Sequence, residues 1–143
     1  MGLRESYFGL REFHNKNQIV KFAANSKNFN IDGKESIENA DALLILSFDE
    51  LKTWLVVTNR RIYRIVDNLR AKKPRIAWSV ALRRIDLNRK LAKTIPINKF
   101  TGQVRYSFWD KRNYKYTQEL FLDLSLEEKL NALITRSLSD LNV

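Results

Sequence analysis

The 143-residue chain has no cysteine, one histidine, two prolines and four glycines, and its longest uninterrupted apolar run is Ala42 to Leu46. Each shortage excludes something. Without cysteine there is no disulfide framework and no thiolate metal site, a composition compatible with a reducing interior. His14 stands alone, so no histidine cluster and no Cys-His nucleophile pair can be assembled, and beside Asn15 it reads as a surface residue. Gly2, Gly9, Gly33 and Gly102 are isolated from one another, which leaves no phosphate-cradling loop. The apolar run is far shorter than the roughly 18 residues of a spanning helix, and the N-terminus has no apolar signal core. The expectation is a soluble, cytoplasmic protein.

The adjacent acids Asp49-Glu50 and Glu127-Glu128 are the remaining catalytic candidates, and the second pair suits the first turn of a helix, where negative charge is favoured. No residue set therefore supports catalysis, and the sequence predicts a protein that is not an enzyme and holds no metal and no cofactor.

What is present is apolar bulk and positive charge. At 44% hydrophobic residues the chain has enough material for one ordinary core. The net charge of +10 is uneven: residues 51–118 hold 18 Lys and Arg against Asp67, Asp86 and Asp110, a net of +15, whereas the flanks hold 8 basic and 13 acidic residues, a net of −5. Such a concentrated field favours anionic partners without choosing among them, and it also serves solubility alone.

Spacing suggests the elements. Leu3, Tyr7, Leu10 and Phe13, then Ile19, Val20 and Phe22 to Ala24, fit one or two short helices with a polar break at Asn15-Lys16-Asn17. Asn28 to Gly33 reads as a loop, so residues 1–31 are taken as an extension preceding a domain at 32–143. Ala42 to Phe48 and Trp54 to Thr58 predict strands. Trp54 and Val56 share one face of the second and Leu55 and Val57 the other, so a helix or second sheet should cover one side. Thr58-Asn59-Arg60 is a hinge to a further strand, with Ile62, Arg64 and Val66 on one face and Arg61, Tyr63 and Ile65 on the other. Ile76, Trp78, Val80 and Leu82 alternate with Ala77, Ser79, Ala81 and Arg83, and a phase shift predicts a bulge or strand end near Arg83-Arg84. Lys90 to Thr94 suggests a helical turn limited by Pro96. Val104 to Trp109 and Tyr116 to Leu122 form a hairpin pattern around the tip Asp110 to Asn113. Leu126, Leu130, Leu133, Ile134, Leu138 and Leu141 then make one helical stripe behind a Ser125-x-x-Glu128 capping box.

The segment Leu55-Val56-Val57-Thr58-Asn59-Arg60-Arg61-Ile62-Tyr63, the strand at Ile76 to Ile85 and the closing helix Ser125 to Leu141 resemble the bacterial pleckstrin-homology-like (PH-like) domains, over about Asp32 to the C-terminus. The resemblance implies an α+β, mainly β fold: a bent antiparallel seven-stranded barrel or sandwich closed by the C-terminal amphipathic helix, here with a short N-terminal helical addition. It also implies a binding platform whose ligand the fold does not determine. Some relatives hold phosphoinositides around the loop joining their first two strands. Here that loop would be Asp49-Glu50-Leu51-Lys52, whose carboxylates would repel phosphates.

The candidate contacts with a polyanion or an acidic partner are Arg60, Arg61 and Arg64 in the hairpin, Lys72, Lys73 and Arg75 with Arg70 in the next connection, Arg83 and Arg84 at a strand end, and Lys111 and Arg112 at the later tip. Guanidinium groups pair phosphates and carboxylates through parallel hydrogen bonds, so these residues would act together if their loops share one end of the fold. The leading expectation is a non-catalytic binding or scaffolding module presenting this basic surface to a protein partner or to a second copy of itself. The alternative is nucleic-acid binding by the basic middle, with Tyr106, Trp109, Tyr114 and Tyr116 available for base stacking. A third reading is peripheral attachment to anionic lipid at a membrane surface.

Overall fold

The computed structural model describes residues 12–86, 92–98 and 103–141. The first helix, α1 (Lys16–Ala24), begins where the sequence suggests a break. Asn15 is its N-cap: the Asn15 side chain accepts from Gln18 N at 2.9 Å while the Gln18 side chain accepts from Asn15 N at 2.8 Å. The polar triplet thus starts the helix by satisfying two otherwise orphaned donors. Ile19 and Ala23, one turn apart, are completely buried. Expected helical positions before Glu12 lie outside the described residues.

Four strands follow as an antiparallel meander, β1 (Asp41–Phe48), β2 (Leu51–Val57), β3 (Arg61–Asn68) and β4 (Arg75–Ala81), paired in that order. The central pairs Trp54↔Ile65 and Val56↔Tyr63 lie on one face, and Leu55↔Arg64 and Val57↔Ile62 on the other. Both faces are covered. The first packs on α1 in a cluster of Ile19, Ala23, Trp54, Val56, Tyr63 and Ile65. The second packs Leu55, Val57, Ile62 and Val80 against a further sheet and the C-terminal helix.

That second sheet is β5 (Ala92–Asn98), β6 (Gln103–Trp109) and β7 (Tyr116–Asp123), antiparallel in chain order. From it Tyr106, Phe108, Leu120 and Leu122 enter the shared core. A 3-10 turn, Leu124–Leu126, leads into α2 (Glu127–Leu141), whose Leu130, Leu133 and Ile134 complete it. Each such side chain contributes roughly 1.5–3 kcal/mol when fully buried. Asp123 caps the 3-10 turn, its carboxylate accepting from Ser125 N at 2.9 Å, two positions ahead of the expected Ser125. That hydrogen bond holds the Asp123 carboxyl below the usual range.

The structure is therefore α+β and mainly strand, with a C-terminal helix. Among the described residues no ladder joins the two sheets, and one isolated bridge links Ile85 to Asp110. The arrangement is open and layered rather than a closed barrel. Two local expectations change and one is met. Register between β3 and β4 shifts so that Arg64 faces Trp78 and Ile65 faces Ile76, leaving Ala77 as an extra residue. This bulge moves Ile76 off the face of Trp78 and Val80 and onto the α1 side. The expected phase change near Arg83-Arg84 is a strand end, a 3-10 turn over Leu82–Arg84. Finally, Ala92 to Thr94 belong to a strand, not a helical turn. Pro96 sits within β5, an edge strand with irregular register, where a missing donor is tolerated. Lys90 and Leu91 lie outside the described residues.

His14 is an anchor rather than a loose surface group. Its backbone N donates to Asp67 Oδ2 at 2.8 Å and its Nδ1 lies 3.2 Å from the same oxygen. Asp67 is fully buried on β3, so this contact meets the need of a buried carboxylate for partners while tying the N-terminal segment to the sheet. No helix among the described residues is long and apolar enough to cross a membrane.

Candidate functional site

The turn between β2 and β3 is built on Thr58. Its hydroxyl oxygen accepts from Arg60 N at 3.1 Å and Arg61 N at 3.0 Å. The same hydroxyl donates to Glu35 Oε2 at 2.5 Å, and Tyr63 donates to that oxygen at 2.8 Å. Glu35 Oε1 accepts from Asn30 N at 2.9 Å. Glu35 is thus a buried carboxylate with three donors, and burial together with this carboxylate pushes the Tyr63 hydroxyl far above its ordinary pKa. Asn59 adds two bonds, accepting from Ser36 N and donating to Lys34 O. These contacts fix the segment at 28–36 against the arginine turn.

Arg60 O accepts from Leu82 N at 2.8 Å, which brings the 3-10 turn after β4 beside the hairpin. Between them and the segment at 28–36 lies a cleft of about 140 Å³ lined by Arg60, Arg61, Arg83, Asn28 and Asp32. Asp32 Oδ2 is 3.6 Å from Arg60 Nε. Arg61 Nη2 donates to Ser79 Oγ at 3.1 Å, and Asn28 Nδ2 reaches that oxygen at 3.3 Å. The Nε atoms of Arg60 and Arg61 are buried and make no hydrogen bond among the described residues, the Asp32 carboxylate lying beyond hydrogen-bond reach of Arg60 Nε.

The β6–β7 tip joins this end through Asp110. Lys111 N donates to Arg84 O at 2.8 Å, and Arg84 Nη2 donates to Asp110 Oδ2 at 2.6 Å. Arg112 contributes its backbone N to Asp110 Oδ1 at 2.8 Å and its Nε at 3.8 Å. The Arg112 backbone hydrogen bond first, and then that from Arg84, hold the Asp110 carboxyl below the usual carboxylate range. Six of the expected cations, Arg60, Arg61, Arg83, Arg84, Lys111 and Arg112, are therefore brought to one end of the four-stranded sheet.

The others are not. Lys72 and Lys73 in the connection after β3 and Arg75 at the start of β4 are exposed at the sheet's other end, roughly 23 Å away at the rise of an extended strand. They rim a groove of about 530 Å³ whose apolar wall includes Phe22, Val66 and Ile76. Arg70 is engaged there by Glu50, with Nε to Oε2 at 2.5 Å. The turn joining β1 and β2 is the pair Asp49-Glu50, with Asp49 in the left-handed region at φ 46°, and Leu51 and Lys52 already belong to β2. Its acidity is partly neutralised by Arg70. Arg64 lies midway along β3 between Leu55 and Trp78, half-buried and distant from both clusters.

The aromatics separate in the same manner. Tyr106 is buried, and its hydroxyl donates to Asn131 Oδ1. Tyr114 and Tyr116 are 58% and 47% exposed beside Lys111 and Arg112, and Tyr116 packs on Trp109 with ring centres 4.3 Å apart. Sequence reasoning missed Glu35, Asp32 and Asp110 as organisers. Asp32 and Asp110 each carry a local signal, an Asp two residues before an N–H it accepts from, whereas Glu35 carries none. Neither the protein-family models nor the curated proteins give a match to this chain.

Proposed function

We propose that this chain is a non-catalytic binding module of PH-like architecture that presents the arginine end of its four-stranded sheet to an acidic protein segment. The element order supports the architecture: seven antiparallel strands in a group of four and a group of three, then a helix that completes the core. One observation carries the function. Six cations from three separate parts of the chain meet at one end, held by backbone hydrogen bonds and by Asp110. Guanidinium groups held in place lose less freedom on meeting a carboxylate than free side chains do. The test is fluorescence anisotropy of a labelled polyglutamate peptide against the whole chain at rising salt. Binding at low salt that weakens in Arg112→Gln but not in Lys129→Gln is expected; absence of binding at low salt would sink the reading.

A second reading, single-stranded nucleic acid, is favoured by the exposed Tyr114 and Tyr116 next to Lys111 and Arg112. Stacking on a tyrosine is worth about 1–3 kcal/mol per base. Titration with oligothymidylate distinguishes it: a steep loss of affinity with salt, and a further loss in Tyr116→Ala, would favour nucleic acid over acidic protein.

A further inference from the structure

The arginine end contains a partly open cleft of about 140 Å³ between the segment at 28–36 and the Thr58–Arg60 turn. It is too small for a drug-sized ligand, which needs roughly 300–1,000 Å³, and so suits a single chemical group. Its charge is specific: Arg60, Arg61 and Arg83 bring three positive charges, Asp32 one negative. The surplus of two among the lining side chains matches a phosphoryl dianion, while the Glu35 carboxylate lies behind the turn, engaged by Thr58, Tyr63 and Asn30. Geometry agrees with charge. Arg60 and Arg61 from the hairpin and Arg83 from the 3-10 turn line the same cleft, and planar N–H forks favour phosphoryl oxygens. Asp32 holds Arg60 only at 3.6 Å and is itself half-exposed, so it is a displaceable partner. The floor is stiff, since Arg61 is braced by Ser79 and its turn by Thr58 and Glu35.

We infer that this cleft is a phosphoryl-binding site, the point at which a phosphorylated segment of the acidic protein partner is read. This rests on the proposed function and adds to it the group recognised. No covalent bond is made or broken; the phosphoryl group exchanges water for arginine N–H donors, and Arg60 exchanges its Asp32 contact for a phosphoryl oxygen.

The experiment follows the arginine Nε–H signals of the whole chain by NMR while inorganic phosphate is added at constant ionic strength. A second arm uses a phosphoserine peptide with acidic flanks and its unphosphorylated twin. Saturable shifts of Arg60 and Arg61 are expected. Affinity should fall about tenfold in Arg83→Gln, the loss of one charge-assisted hydrogen bond, rise in Asp32→Asn, and stay unchanged in Lys129→Gln. Arg83 is exposed, so its replacement leaves the fold in place. Saturation by both phosphate and the phosphopeptide supports the proposal as stated, whereas saturation by free phosphate alone overturns the protein-borne source. Absence of saturation, or equal affinities in wild type and Arg83→Gln, overturns the site. If the two peptides then still bind equally, the broader acidic-partner reading stands; if neither binds, both fall.

Discussion

The two ends of the four-stranded sheet carry similar charge on different foundations. At the Arg60 end, cations from the hairpin, the 3-10 turn and the β6–β7 tip are tied to distant parts of the chain through Glu35 and Asp110. At the Lys72 end, Lys72, Lys73 and Arg75 sit on one continuous segment running from the loop into β4, and the neighbouring ion pair, Arg70 with Glu50, is largely exposed. Composition alone makes the ends look equivalent. The difference teaches that a basic segment becomes a candidate site when buried acceptors fix where its cations stand, because pre-organised donors lose less entropy on binding.

The comparison can first be broken through stability. Glu35→Ala removes the acceptor of Thr58, Tyr63 and Asn30, leaving the two buried hydroxyls of Thr58 and Tyr63 unpaired at about 1–3 kcal/mol each, so a total loss of roughly 2–6 kcal/mol is expected on denaturant unfolding. Glu50→Ala at the other end removes only an exposed pair and should cost no more than about 1 kcal/mol. Equal losses would show that the arginine end is no better anchored.

A smaller effect separates the ends by pH. The folded-state pKa of Asp110 is depressed, so its stabilisation is complete above the ordinary carboxylate pKa and is lost as pH falls through the depressed value. Wild type should lose stability below about pH 4, and Asp110→Asn should show a shallower acid slope, read from thermal midpoints across pH 2–6. Asp123, depressed by its hydrogen bond from Ser125, retains its share of the slope in both.

Much of this architecture was legible in the sequence for local reasons. The alternation of Trp54 to Val57 and of Ile62 to Ile65 encodes both covered faces of the sheet, and the stripe through Leu130, Leu133 and Ile134 encodes the helix packing. What escaped depends on partners far along the chain. Ala77 is a bulge only by its pairing with β3, and Pro96 is acceptable in β5 only because that strand lies at an edge. The site divides likewise. Its cations could be named from composition, but their separation into six at one end, three at the other and Arg64 between follows from strand direction, and Glu35 has no local feature that marks it as the acceptor beneath Thr58. Asn15 and Gln18 did carry a readable signal, a capping pair spaced three apart, masked by the reading of polar residues as a break.

The most direct test of the account compares polyglutamate binding by two charge-neutralised double variants, Arg83→Gln/Arg112→Gln and Lys72→Gln/Lys73→Gln, at one low salt concentration. Both remove two exposed cations, so overall charge is matched. The account predicts a loss of tenfold or more, about 1.4 kcal/mol or greater, in the first and a change within about threefold in the second. Equal losses in the two would contradict it, because binding would then follow net charge and not the place where the fold gathers its arginines.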